Sequence, residues 1–317
     1  MIFLQISTTK RHLNKGLETK YPLNDSGFIY YDPSSVSGNK SMKIRSTSDE
    51  FGIFIEDLDL RTIPDTDFPA LRSAIIQSGV GVIRDQLLTP ADLVSFAERF
   101  GKVEYGVRGE FQHPDNPDVY VISNIVEDGK PLGNPNDGFA WHTDLSFLEH
   151  PTAFTFLYAV ETPPSGGNTE FASAALAYDR LPAVRKAELD GMQVCHSYKR
   201  LHATRKNARA LTEEELRRMP DVIHPMVRTH PDTGRRALYL GPNTSVPIGM
   251  TDEAGLALMD ELMEFTVDPA YRYVHVWKPG DLVMWDNRTM VHRAMEYDKI
   301  NERRLMHRTT VKGERPV

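Results

Sequence analysis

"FAWHTDLSF", residues 139–147, sets a histidine and an aspartate two positions apart inside an apolar and aromatic run. Burying polar or charged groups is costly unless something pairs with them, so the pair asks for a partner. Read as a strand, the stretch has His142 and Asp144 on one face, where both can reach the same ion. A third ligand then comes from "WDNRTMVHRAMEYD", where His292 closes an apolar stretch after a turn-rich Asp-Asn.

Two imidazoles and one carboxylate on one side of a metal leave positions open, which is the ligand set of non-haem Fe(II) oxygenases. A His-x-Asp pair is common by chance, so its surroundings decide. "AFTFLYAV", "NTEFASA", "MQVCHSY", "YRYVHVW", "DLVMWDN" and "RRLMHRTTV" read as strands, and "MVRTHPDTGRRALYL" as a hairpin. "FPALRSAIIQSG" reads as a helix stopped by Gly79, before the strand "VGVIRD". "LTPADLVSFAERFG" is a helix opened by Thr89 and Pro90, and "AALAYDRLPAVRKAELDG" and "TDEAGLALMDELMEFT" are two more. Many short strands with a few outer helices predict a mainly β chain with flanking helices, a sandwich or jelly roll. Residues 1–48, rich in Ser, Asn, Lys and Tyr, read as a loosely ordered or draped extension, and 49–317 as one domain. The stretch 102–140 is poor in periodicity apart from "VYVISNI" and is expected to form a lid.

In "ERRLMHRTTV", alternation puts Arg304, Met306, Arg308 and Thr310 on one face and Arg303, Leu305, His307 and Thr309 on the other. Two arginines on the inner face of a core strand need an anionic partner, and guanidinium forks match carboxylates bidentately. On an outer edge the same arginines would simply be solvated.

With 37 basic and 44 acidic residues the formal charge is −7, which favours a small-molecule partner over nucleic acid or an anionic membrane. One cysteine, Cys195, excludes an internal disulfide, and eleven histidines favour nitrogen and oxygen metal ligands. The apolar start "MIFLQISTTK" is too short for a signal segment, and no run approaches a membrane span. A soluble, cytoplasmic protein is expected, with homo-oligomerisation left open.

Together "WHTD", "PPSGGNTEF", "AYDRLP", "GDLVMWDNRTMVHR" and "RRLMHRTT" resemble the taurine/2,4-dichlorophenoxyacetate (TauD/TfdA) family of Fe(II)- and 2-oxoglutarate-dependent dioxygenases, from about Phe51 to the C-terminus. The resemblance implies a double-stranded β-helix (jelly-roll, cupin-like) core, Fe(II) held by His142, Asp144 and His292, and 2-oxoglutarate as co-substrate. It gives Arg304 the distal carboxylate of 2-oxoglutarate, with Thr169 hydrogen-bonding the same group, and sets Arg308 nearer the metal. The chain carries one residue more between His292 and the Arg-Arg pair than the taurine enzymes do, so the choice of Arg304 over Arg303 leans on the following "MHR". Related halogenases replace the carboxylate by a small residue; Asp144 therefore implies hydroxylation, with bond cleavage or desaturation as variants, yielding succinate and CO2 from 2-oxoglutarate and dioxygen.

For the substrate, the 102–140 segment offers Tyr105, Arg108, Phe111 and Asn124, and Arg108 suits an anionic group unless it is merely solvated. "SYKRLHATRK" borders the pocket mouth or forms a charged surface loop. A small anionic organic substrate is expected. The alternatives are a biosynthetic tailoring oxygenase on an amino-acid- or fatty-acid-derived substrate, a metal hydrolase on a cupin-like barrel, and a non-catalytic sensor of small acids. His113, His150, His224, His230 and His275 are assigned to turns or the surface, and Trp141 and Phe147 to packing.

Overall fold

The computed structural model describes residues 42–48, 50–104, 110–136, 138–204, 209–241 and 245–317. At its centre lies the strand Leu282–Asp286, every residue of which is buried. Val283 and Trp285 enter one apolar cluster and Leu282 and Met284 another, as expected for a strand covered on both faces. It pairs antiparallel with Val80–Ile83 and with Thr152–Glu161. A nine-stranded sheet spreads from there, through Leu305–Lys312 and Asn116–Ser123 on one side and Ile53–Glu56 and Lys43–Ser46 on the other. Ile53–Glu56 and Val80–Ile83 run parallel, which demands a crossover, and the helix Phe68–Ser78 supplies it.

That helix and Pro90–Glu98 cover the outer face of the sheet, where Leu71, Ile75, Leu93 and Phe96 pack on Phe154, Phe156 and Met284. The local stops and starts are those expected: Gly79 caps the first helix in the left-handed region (φ 77°), and Thr89 and Asp92 form a capping box on the second. Against the inner face packs a three-stranded sheet of Arg272–His275, Thr169–Ser173 and Met290–Ala294. Phe171 at its middle is fully buried against Tyr273 and Trp285. Two sheets packed face to face form the jelly-roll core.

Several elements differ from expectation. "AALAYDRLPAVRKAELDG" divides into Ala174–Arg180 and Ala183–Leu189, because Pro182 lacks the N–H that would continue the first helix. The stretch 102–140 is not simply a lid: Asn116–Ser123 is an inner strand of the large sheet, and Val126–Glu127 pairs with Lys130–Pro131. Met290–Ala294, read only as an apolar run, is a strand. Lys43–Ser46, assigned to the extension, pairs with Ile53–Glu56, while residues 1–41 lie outside the described residues. Among the described residues no helix is long and apolar enough to cross a membrane.

Candidate metal centre

His292 lies on Met290–Ala294, opposite Phe171 in register. On its other side it exchanges two backbone hydrogen bonds with His142, 3.1 Å and 2.9 Å long. The small sheet is thus extended by a single residue pair. Immediately afterwards the chain turns, with Leu145 at φ 50°. The expectation of one strand through 139–147 is therefore corrected: His142 and Asp144 converge because a bridge is followed by a turn.

The ligand atoms of His142, Asp144 and His292 lie within 4.8 Å of one another. His142 Nε2 is 3.7 Å from Asp144 Oδ1, and His292 Nε2 is 3.7 Å from Asp144 Oδ2. These separations are too long for hydrogen bonds and suit donors arranged around a shared ion. His142 Nδ1 is 2.8 Å from the Ala140 carbonyl, which fixes the proton there and leaves Nε2 as a lone-pair donor. Burial pushes His292 down to about 3, helped by His142 and opposed by Asp144. Burial alone would raise the Asp144 carboxyl, but His292, His142 and Arg308 outweigh it and hold the group well below the usual carboxylate range. Neutral imidazoles and an ionised carboxylate are the forms that bind a divalent metal, so the residues present fit Fe(II).

Beside the triad, Thr169, Arg304 and Arg308 line one pocket, walled by Ile122, Leu157, Trp285 and Ala294. Arg304 is buried, its Nε has no partner, and no acidic side chain among the described residues pairs with it. Burial lowers its pKa to about 10, a sign that the cation is under-compensated. Its main chain is pinned, with N–H donating to Asn124 Oδ1 (2.9 Å) and C=O accepting from Ser123 Oγ (2.8 Å). Gly167, at φ 61°, lets the "PPSGG" turn fold tightly beside Arg304: a Cβ there would lie 2.9 Å from Pro163 Cγ. Thr169 Oγ1 accepts from Trp277 Nε1 at 3.0 Å, so its own hydrogen points elsewhere. Arg303, by contrast, is solvent-facing and pairs with Glu161 at 2.8 Å. Arg308 lies 3.7 Å from Asp144 Oδ1 and 4.8 Å over the Tyr120 ring.

Other expected site residues fare differently. Asn124 Nδ2 donates to the carbonyls of Lys299 and Glu302, both at 2.8 Å, so its amide holds the 299–304 turn rather than facing a substrate. Tyr105 and Arg108 lie outside the described residues, as do Arg205 and Lys206. Of the remaining "SYKRLHATRK" residues, Arg200 pairs with Asp252 at 3.0 Å and Tyr198 is buried against Phe147. His224, His230 and His275 are buried rather than turn or surface residues. Each ring finds a partner at Nε2: the Leu148 carbonyl for His224 (2.9 Å), Asp286 for His230 (3.0 Å) and Asp281 for His275 (3.0 Å). The apolar walls Ile122, Leu157 and Trp285 were missed as site residues. Their signal was the same alternation that marks the inner face of their strands.

Residues 44–310 match the Taurine catabolism dioxygenase TauD, TfdA family. The chain is 35% identical over 278 residues to the alpha-ketoglutarate-dependent 2,4-dichlorophenoxyacetate dioxygenase of Cupriavidus pinatubonensis (strain JMP 134), across 82% of this chain and 94% of that one. It is 33% identical over 233 residues to pentalenolactone F synthase of Streptomyces arenae, across 68% and 76% of the two chains. Among solved structures it is similar to AAD-2 in complex with Mn(II) and N-oxalylglycine, with TM-score 0.74, 32% identity, and coverage of 87% of this chain and 99% of that one. The chain belongs to the TauD/TfdA family and is an Fe(II)- and 2-oxoglutarate-dependent dioxygenase.

Proposed function

We propose that His142, Asp144 and His292 hold Fe(II), that Arg304 and Thr169 hold the distal carboxylate of 2-oxoglutarate, and that the enzyme oxidises a small anionic organic molecule. One observation carries the reading: a buried guanidinium with no acidic partner among the described residues shares a pocket with His142 and His292, whose ligand atoms cluster with that of Asp144. A carboxylate of the co-substrate is the partner such a cation needs, and a fork of two N–H donors fixes its angle as well as its position. The Thr169 hydroxyl, already accepting from Trp277, donates its hydrogen to the same carboxylate.

When bound, iron with 2-oxoglutarate and dioxygen supplies oxidative decarboxylation to succinate and CO2, coupled to oxidation of a nearby C–H bond. The chain contributes placement. Arg308, beside Asp144, keeps positive charge at the inner end of the pocket, where the proximal carboxylate or an acidic substrate is held. Ile122, Leu157 and Trp285 exclude water from the reacting centre. A hydrolase that activates water at the same triad does not require a buried, unpaired arginine in the same pocket, which favours the oxygenase.

The similarity to a 2,4-dichlorophenoxyacetate dioxygenase supports a carboxylate-bearing substrate. That to pentalenolactone F synthase favours, as a second reading, a biosynthetic oxidation of a larger carbon skeleton. A half-buried single thiol, Cys195, fits a cytoplasmic setting. Incubation with a panel of phenoxyacetates, alkylsulfonates and carboxylated terpenoids, reading succinate against oxidised product, tests the substrate class. Tight coupling with an acidic member is expected. Coupling only with neutral compounds overturns the anionic assignment.

A further inference from the structure

We infer that Thr155 and Asn287 are positioning residues for the metal centre, closing a ring of hydrogen bonds that begins and ends on Asp144 and sets the angle of its carboxylate. The inference rests on the proposed reading of His142, Asp144 and His292 as ligands.

The ring runs through three separate parts of the chain. The Asp144 backbone N–H donates to Asn287 Oδ1 at 3.1 Å. Asn287 Nδ2 donates to Thr155 Oγ1 at 2.9 Å. Thr155 Oγ1 donates to Asp144 Oδ2 at 2.7 Å, returning to the residue where the ring began. Thr155, Asn287 and Asp144 are all buried, so water does not compete for any of these bonds.

The direction of each bond follows from the chemistry of the donors. Asn287 Oδ1 also receives Trp285 Nε1 at 3.1 Å, and an indole N–H, like a backbone N–H, can only donate. Two obligate donors on the same atom make it the oxygen and fix the amide the right way round. Its nitrogen therefore faces Thr155 and must donate, which occupies a lone pair of the hydroxyl. The hydroxyl hydrogen is left with Asp144 Oδ2 as its acceptor. Thr155 is thus held as a donor to the carboxylate, and rotation of the Asp144 side chain breaks the ring.

The same asparagine reaches a second ligand. The Trp285 indole that it anchors packs against the His292 ring, with centroids 4.5 Å apart. His292 Nδ1 is buried without a hydrogen-bond partner, so that ring is oriented by Trp285 and Phe171 rather than by a hydrogen bond. Metal-bound histidines usually gain their orientation from such a bond. Here Asn287 replaces it indirectly, through Trp285.

The test uses the full-length protein, stripped of metal by chelation and titrated with Mn(II), with free Mn(II) read by its EPR signal. Thr155→Val removes the hydroxyl at nearly constant volume, Thr155→Ser restores it, and Asn287→Asp replaces the donor by an acceptor that takes the Thr155 hydrogen for itself. Thr155→Val and Asn287→Asp should each weaken Mn(II) binding by about 10- to 100-fold, while Thr155→Ser stays within about 3-fold of the parent. Fe(II) with 2-oxoglutarate should give a shifted visible charge-transfer band in Thr155→Val and the parent band in Thr155→Ser, a difference that a packing role alone would not produce. Parent-like Mn(II) affinity in both Thr155→Val and Asn287→Asp overturns the inference and leaves the ligand assignment standing. Failure of the parent protein to bind Mn(II) overturns the ligand assignment, and the inference with it.

Discussion

Arg303 and Arg304 are neighbours in sequence and opposites in environment. Arg304 is buried with no acidic partner among the described residues, whereas Arg303 faces solvent in a pair with Glu161. Arg304→Ala should raise the 2-oxoglutarate KM on the order of 100-fold, the scale of losing a charge-assisted hydrogen-bond pair. Arg303→Ala should change it by less than about 3-fold, because exposed ion pairs contribute little. Steady-state succinate formation reads both, and equal effects would reverse the assignment. At the metal, Asp144→Ala should leave no Fe(II)-dependent succinate above background. Full activity in that variant would remove Asp144 from the centre.

At the scale of elements, the site depends on turns as much as on strands. Asn124 joins the end of the Asn116–Ser123 strand to the 299–304 turn through three hydrogen bonds, one of them to the Arg304 backbone. Asn124→Ala should loosen that turn and raise the 2-oxoglutarate KM roughly tenfold, about one buried hydrogen bond. An unchanged KM would show that Arg304 is held without it. Alternation in "RRLMHRTT" made the inward pair Arg304 and Arg308 legible from sequence, since period two follows directly from strand geometry. His142 and Asp144 were legible as a pair but not in their setting, because one backbone bridge followed by a left-handed turn looks like a strand in the residues alone. Thr155 and Asn287 were not legible at all. They stand 132 residues apart, and a threonine in "AFTFLYAV" carries no mark that separates a metal-site donor from an ordinary strand residue.

For the molecule as a whole, buried histidines weaken the fold as the solution becomes acidic. Burial lowers His196 from its ordinary 6.5 to about 3, and lowers His307 to about 4. Between these values and 6.5 the unfolded chain binds protons that the folded chain refuses, so stability rises with pH across that window. The contribution is complete above about pH 6.5 and is lost as pH falls towards 3. The melting temperature should be level from about pH 8 to 7 and drop steadily below about 6.5. A level melting temperature down to about pH 5 would mean that these rings are protonated in the fold. The turn-or-surface reading of His224 and His230 failed for the same reason: the Leu148 carbonyl and Asp286 come from distant segments that only the closed core brings to them.

The central claim is that the His142, Asp144 and His292 cluster opens, through its two histidines, into the pocket that holds the Arg304 anchor for a chelating co-substrate. Anaerobic titration of the Fe(II)-loaded protein with 2-oxoglutarate tests it most directly. A weak visible metal-to-ligand charge-transfer band should grow in and saturate, and the Arg304→Ala variant should need far more 2-oxoglutarate to reach the same amplitude. Absence of the band with iron shown to be bound, or an Arg304→Ala titration that overlays the parent, would contradict the account.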